Sequence, residues 1–413
     1  MTPEEYLEKL LDRLEPQPLP DKTLPLDQLL DRVLAEDIYA RFAVPPFTNS
    51  AMDGFAVHST DFQGEGPWTF KVSTDIPAAS ISSEGELATS AQPGTAARIM
   101  TGAPMPQWAN CVVKVEDTDA PAGASDLRAQ VSIHRLPTPG LNVRMLGEDV
   151  PAGALVIPKG TVLGPHDLSS LVSVGYAQAA VSRKPRVAIL ATGTELVPAG
   201  VDLKPGQIPD SNSLLLASLV SKSGGKPSFV ASVADTPEDF ENALKAAAAN
   251  ADLIVSTGGV SMGAFDPVKE YGLSHGWTFS KVSMQPGKPQ GFGRFALDNR
   301  SVGVIALPGN PVSVALSFTL FVKPVLKRML GMTQTEQQFY ARAGDSWKSH
   351  EGRRQYVPVV IKTEGQNVTA HPTHRLGSGS HLVASLHLAQ AYAVVDAATT
   401  QVNTGDVLPV ISL

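Results

Sequence analysis

Leu253-Ile254-Val255-Ser256-Thr257-Gly258-Gly259-Val260-Ser261-Met262-Gly263, with Asp266-Pro267 just behind it, is the stretch on which the fold turns. A wholly apolar run, Leu253–Val255, enters a glycine-bearing turn, and a proline then opens a helix. Apolar runs without alternation read as strands covered on both faces. The same pattern recurs on either side. Upstream, the strand Arg186–Leu190 precedes Ala191-Thr192-Gly193-Thr194-Glu195-Leu196, and Phe229–Val233 precedes Ala234-Asp235-Thr236-Pro237. Downstream, Val302–Leu307 runs into Pro308-Gly309-Asn310-Pro311-Val312-Ser313. Helices fall between them: Ser213–Ser221, ended by Gly224-Gly225; Thr236 to Asn250; and Pro311 to Leu330, which Pro324 should kink. Strands alternating with helices predict a doubly covered, mainly parallel sheet, here over residues 181–331.

Outward from that domain the texture changes. Thr2-Pro3-Glu4-Glu5 is a helix start with a capping box, and Tyr6, Leu7, Leu10, Leu11 and Leu14 follow on one face. Leu26, Leu29, Leu30, Val33 and Leu34 predict a second helix. Neither has a core of its own, so the Gly/Pro-studded segment after Thr138 is expected to return and pack on them. Residues 1–45 and 137–180 would then form one discontinuous, elongated α+β domain. Residues 46–136 show short apolar runs between turn residues, the mark of a β-rich lid. Residues 332–413 carry strand texture at Tyr356–Ile361, Ala391–Val395 and Val407–Ile411, a small all-β domain. The fold class is thus multidomain α/β, as expected for 413 residues, too many for one core.

Composition narrows the function. A formal charge of −7 argues against a nucleic-acid surface or an anionic membrane as main partner. Cys111 is the single cysteine, which excludes an intrachain disulfide and a thiol-based zinc site. The most apolar stretch, Val302 to Val322, is broken by Pro308-Gly309-Asn310-Pro311, so a buried helix is expected rather than a membrane span. With an acidic start and no targeting signal, the expected location is cytoplasmic.

In open α/β sheets ligands bind beyond the carboxyl ends of the strands. The four turns there bring Glu195, Asp235 and Asp266 together with two glycine-bearing loops. Turns without Cβ atoms expose N–H groups to an anion. Carboxylates beside a phosphate imply a hard cation between them, most simply Mg²⁺. Lys288, in Gln285-Pro286-Gly287-Lys288-Pro289, can bring a compact charge to a second oxyanion. Asp235 and Asp266 also stand at helix starts, where simple capping would explain them, and Glu195 could be solvated surface. Gly259-Val260-Ser261-Met262-Gly263 matches a serine-hydrolase elbow, but Ser261 comes too far after its strand. No Walker A or dinucleotide fingerprint is present. Pro372 argues against a helical metal pair at His371 and His374.

On these residues the chain resembles the bacterial molybdopterin molybdotransferases, the MoeA family, which includes the E domain of gephyrin. The matching stretches are Ser50-Ala51-Met52-Asp53-Gly54-Phe55-Ala56, Arg98-Ile99-Met100-Thr101-Gly102-Ala103-Pro104, Thr192-Gly193-Thr194-Glu195-Leu196, Asp210-Ser211-Asn212-Ser213, Ser256-Thr257-Gly258-Gly259-Val260-Ser261, Pro286-Gly287-Lys288-Pro289 and Leu307-Pro308-Gly309-Asn310-Pro311-Val312-Ser313. The resemblance spans nearly the whole chain. It implies an enzyme that inserts molybdate into adenylylated molybdopterin with Mg²⁺-dependent release of AMP. It also implies a homodimer, its cleft between the α/β domain of one subunit and the β-rich lid of the other, and transient contact with the molybdopterin adenylyltransferase.

By matched position, Glu195, Asp235 and Asp266 belong to the metal and nucleotide site, and Asp53 and Thr101 reach in from the other subunit. Lys281, Lys288, Pro289 and Ser313 lie near pterin and molybdate. The matched residues of the other turns, Thr192, Gly193, Asp210 to Ser213, Thr257 to Gly259 and Pro308 to Pro311, line the cofactor site, and Arg353 and Ser380 contact molybdate. The chain departs from the family at Gln285, where many relatives have lysine, and at Pro358, where arginine is common. Sequence alone does not decide between Arg353 and Arg354. Two other readings stand beside the enzyme: a pterin-binding scaffold without catalysis, and a serine hydrolase using Ser261.

Overall fold

The computed structural model describes residues 1–78, 94–121, 123, 126–260, 266–333 and 339–413. At its centre is a six-stranded sheet in the spatial order Lys226–Val233, Arg186–Thr192, Leu253–Thr257, Arg300–Leu307, Pro289–Leu297, Thr278–Lys281. The first four strands are parallel, as the strand–helix alternation predicts. The last two, absent from the expected strand set, are each antiparallel to the preceding strand; Gly291 and Gly293 break the apolar pattern of Pro289–Leu297. Successive side chains of a strand point to opposite faces. Val187, Ile189, Leu253, Val255, Ile305 and Leu307 therefore enter one core, with helices Asn212–Lys222 and Pro311–Ser317. Ala188, Leu190, Ile254, Val304 and Ala306 enter the other, with Pro237–Ala248.

The first helix, Pro3–Leu14, starts on the predicted capping box. Its apolar face does not pack on the segment after Thr138. It joins the first core of the α/β sheet, where Tyr6 lies edge-on to Phe292 and Phe321, with ring centroids 5.3 and 4.7 Å away. Periodicity specifies which face of a helix is buried and is silent about the partner. The expected helix over Leu26–Leu34 is also absent. Only a single 3₁₀ turn, Leu26–Gln28, forms there, and Asp31 takes a left-handed φ of 59°.

What does pack on the returning segment is the chain just after the first helix. Asp21–Pro25 pairs with Gln178–Ser182, and Ile38–Tyr39 with Leu155–Ile157, around Leu29, Leu34, Leu163 and Leu171.

The β-rich region is a five-stranded sheet, ordered Cys111–Lys114, Gly54–Val57, Thr95–Ile99, Trp68–Ile76, Gln130–Ile133. In the C-terminal region Arg354–Glu364, Asn367–Pro372, Phe339–Ala343, Val407–Ser412 and Ala391–Val395 pair in sequence, and the first pairs again with the last. That closure makes a small barrel with no free edge among these strands. One two-residue strand from the α/β region, Met284–Gln285, attaches in parallel to Arg354 and Gln355 of the barrel.

The long helix after Pro311 passes through a π-helical turn at Phe318–Val322 directly before Lys323-Pro324. Proline cannot donate to the carbonyl one turn back, and the widened turn accommodates the loss.

Candidate active site

Beyond the carboxyl ends of the parallel strands lies a cavity of about 600 Å³. Its floor is stitched together by Thr257, which is 2% exposed. The Thr257 hydroxyl donates to the Pro308 carbonyl at 2.9 Å and accepts from Asn212 Nδ2 at 3.1 Å. Asn212 Nδ2 also donates to the Gly309 carbonyl at 2.7 Å. Two of the predicted turns are thereby locked to each other and to the start of the helix Asn212–Lys222, a clamp that motif reading did not anticipate.

Two glycines allow the close approach. Gly258 has φ +91°, and a Cβ there would stand 2.5 Å from the Thr192 carbonyl oxygen. Gly259 has φ +69°, and its Cβ would meet Val268 Cγ2 at 2.3 Å and Asp266 Oδ1 at 2.9 Å. Any side chain here would be strained and would push on strand or carboxylate.

Glu195, Asp235 and Asp266 all line the cavity. Asp235 Oδ2 accepts from Thr194 N at 2.8 Å and from Thr194 Oγ1 at 2.9 Å, which fixes the loop that carries Glu195. The capping alternative fails for both aspartates. Thr236, not Asp235, caps the helix Pro237–Ala248. Asp266 occupies the N-cap position of Pro267–Ser274 without a side-chain capping bond, although it is only 9% exposed.

Asp210 is committed to structure as well as to the rim. Its carboxylate accepts from Ser213 N at 3.0 Å, Ser213 Oγ at 2.5 Å and Ser232 Oγ at 3.0 Å. Among the described residues no three His, Cys, Asp or Glu side chains are grouped to hold an ion by themselves.

Further lining comes from two regions. Lys288 is exposed on its Pro-Gly-Lys-Pro turn. Arg353 donates from Nη1 to Gln285 Oε1 at 3.0 Å, and both line the cavity. Ser380 accepts from Asn310 Nδ2 at 3.1 Å, while its carbonyl accepts from Val312 N. Arg354 points elsewhere, pairing with Glu4 in a groove against the first helix. Geometry therefore separates the two arginines that sequence left equivalent.

The remaining predicted positions divide cleanly. Thr192, Gly193, Ser211, Pro289, Pro308, Gly309, Asn310, Pro311 and Ser313 line the cavity. Ser213 lies behind Asp210 rather than on the wall. Lys281, exposed at the end of the edge strand and paired in register with Pro289, does not line it either. Asp53 and Thr101 occupy a different cavity of about 660 Å³, which shares no residue with the first. There Thr101 N and Oγ1 donate to Asp53 Oδ1 at 2.6 and 2.8 Å, holding its carboxyl below the ordinary range.

Leu196 and Ile208 also line the first cavity, through the short parallel pair Leu196–Val197 with Ile208–Pro209. Leu196 stood at the end of a matched stretch without a role assigned to it, and Ile208 carried no signal beyond an apolar residue in a polar loop. Ser261 lies outside the described residues, but its strand ends at Thr257 and the next helix begins at Pro267, unlike an elbow. His371 is bonded to Asp345 and Thr369.

Three family models cover this architecture: the MoeA N-terminal region (domain I and II) over residues 1–175, a probable molybdopterin binding domain over 188–328, and the MoeA C-terminal region (domain IV) over 340–413. The chain belongs to the MoeA family. Within it, the chain is 32% identical to the molybdopterin molybdenumtransferase of Haemophilus influenzae, covering 99% of this chain and 98% of that one. It is 38% identical to molybdopterin molybdenumtransferase 2 of Mycobacterium tuberculosis, over 84% of this chain and 85% of the relative. The crystal structure of the molybdopterin biosynthesis MoeA protein from Pyrococcus horikoshii OT3 superposes over the full length of both chains, with TM-score 0.83 and 28% identity. The MoeA architecture thus accounts for the α/β centre, the β-rich region and the terminal barrel alike.

Proposed function

We propose that the protein is a molybdopterin molybdenumtransferase, which inserts molybdate into adenylylated molybdopterin and releases AMP. The observation that carries this reading is the meeting of carboxylates and cationic side chains in one cavity. Glu195, Asp235 and Asp266 line it together with Lys288, Arg353 and Ser380. A purely anionic or purely cationic pocket would suit one ligand. This one suits a nucleotide phosphate with a cation, together with a free oxyanion.

Mg²⁺ fits the carboxylates. No closed protein cage exists among the described residues, and Mg²⁺ usually takes one or two carboxylates and completes its shell with phosphate oxygens and water. One or two of Glu195, Asp235 and Asp266 would hold it, with substrate phosphate and water completing the shell. When bound it would supply charge neutralisation at the phosphoanhydride.

The chain's own groups do the rest. The Gly258-Gly259 turn, pinned by the Gly258 N–H on the Leu307 carbonyl, borders the phosphate position, and Lys288 and Arg353 hold the oxyanion against the repulsion of the nucleotide. The enzyme's main contribution is bringing together two anions that avoid each other in water.

The separate cavity around Asp53 and Thr101 supports a homodimer in which that surface serves the partner's cleft, and transient contact with the adenylyltransferase would deliver the substrate. A cytoplasmic location fits the lone buried cysteine, and no helix among the described residues is long and apolar enough to cross a membrane.

The test is incubation with adenylylated molybdopterin, Mg²⁺ and molybdate, following AMP and cofactor together. Asp266→Ala is expected to abolish AMP release. Unchanged release would overturn the assignment of the carboxylates.

A further inference from the structure

We propose that Gln355, a barrel residue outside the cavity, is the positioning residue that sets Arg353 and Ser380 as one oxyanion clamp; this rests on the function proposed above.

Gln355 is 3% exposed, and both ends of its amide are used. Its Oε1 accepts from Trp347 Nε1 at 3.2 Å, and its Nε2 donates to Ser378 Oγ at 3.0 Å. Ser378 is itself 4% exposed. These bonds fix the orientation of the amide. The indole N–H can only donate, so the carbonyl oxygen must face Trp347 and the NH₂ must face Ser378. A flipped amide would set two donors against each other in a dry interior.

The consequences run along the chain in both directions. Ser380 follows Ser378 closely in the same loop, and Arg353 closely precedes Gln355 on the strand entry. One buried amide thus ties the segments that carry both contacts. The backbone of Gln355 extends the tie to a third. It pairs in register with Gln285, whose side chain receives the Arg353 guanidinium and whose chain leads into Lys288. Arg353 has five N–H donors, and a neutral amide acceptor at Gln285 occupies one without cancelling its charge. Lys288, Arg353 and Ser380 come from two differently folded regions, and Gln355 stands at their junction. Outer-shell groups of this kind orient the residues that touch the ligand.

The experiment compares Gln355→Met, which keeps volume and removes both bonds, with the double variant Gln355→Met/Ser378→Ala, which also removes the orphaned hydroxyl. Both are assayed with adenylylated molybdopterin and Mg²⁺ across a molybdate titration, with Lys288→Ala as reference. Positioning predicts a KM for molybdate raised about tenfold with kcat within about twofold. The double variant should recover thermal stability but not KM. Direct binding of molybdate alone, by equilibrium dialysis, should weaken in step.

A KM unchanged in the folded double variant, while Lys288→Ala raises it, overturns the role of Gln355 and leaves the proposed function standing. Equal loss of kcat and stability, with KM restored in the double variant, also overturns it, as the behaviour of a purely structural residue. No turnover or molybdate binding in the unmodified protein would instead sink the functional reading on which the inference depends.

Discussion

Replacing Thr257 by valine tests whether the floor of the cavity is held by hydrogen bonds or by packing. Valine has nearly the same shape, so the change isolates the hydroxyl. The structure assigns that hydroxyl two bonds, one to the Pro308 carbonyl and one from Asn212 Nδ2, at a position only 2% exposed. Asn212 retains its bond to the Gly309 carbonyl, so only one of its N–H groups is orphaned. A buried group left unsatisfied costs about 1–3 kcal/mol, and here a carbonyl and an N–H are both affected. The added methyl returns about 0.8 kcal/mol.

The net expectation is a loss of about 2 kcal/mol, which lowers the melting transition of a domain this size by about 4–8 °C. Differential scanning calorimetry should show it on the transition of the α/β region. AMP release should fall at the same time, because the Gly258 and Pro308 turns lose their tie. Thr257→Ser keeps the hydroxyl and should retain most of both. If serine proved as damaging as valine, the methyl group would be the stabilising element and the clamp would be the wrong explanation.

Lys288→Ala should raise the KM for molybdate at least tenfold, with a weaker salt dependence, in steady-state assays at low molybdate. An unchanged KM would remove Lys288 from the oxyanion site. Asp252 ties Arg183 and Arg186 together at the entry to the first strand. Burial alone would raise its pKa, but the hydrogen bonds from the two arginines dominate and bring it from 3.8 to about 2. A carboxyl lowered on folding stabilises above its unfolded pKa and loses that effect as pH falls through the folded value. Asp252→Asn should therefore cost about 2 kcal/mol at pH 7, with the gap to the parent closing between about pH 4 and pH 2 in urea titrations. Burial, with the nearby Asp61 carboxylate, pushes the Cys111 thiol up to about 11. Ellman's reagent at pH 8 should find it silent in the native protein and fully reactive in denaturant.

How much of this was legible beforehand depended on the range of the interaction. Apolar runs reported the four parallel strands; Arg186–Thr192, Leu253–Thr257 and Arg300–Leu307 are buried on both faces and end in glycine-bearing turns, whereas Lys226–Val233 is a partly exposed edge strand without one. Local chemistry likewise reported the capping box at Thr2 and Glu5 and the carboxylates on the rim. Of the two antiparallel strands, Pro289–Leu297 stayed hidden because glycines interrupt it and Thr278–Lys281 because it is short and mostly polar, and the expected helix over Leu26–Leu34 was a periodicity without a continuous hydrogen-bond ladder.

Partner choice was not written locally at all. The first helix seats Tyr6 against Phe292 and Phe321, far away in sequence, and nothing in its pattern named them. The same limit governs the site with which the sequence reading began. The run from Leu253 to Gly259 by itself determined that a strand ends in a tight glycine turn. Only tertiary structure decided that Thr257 would clamp that turn to Pro308 and Asn212, and that Arg353 rather than Arg354 would face it. Backbone preference and burial pattern are properties of neighbours in the chain; which side chain completes a site is fixed by packing between segments that meet only in the folded protein.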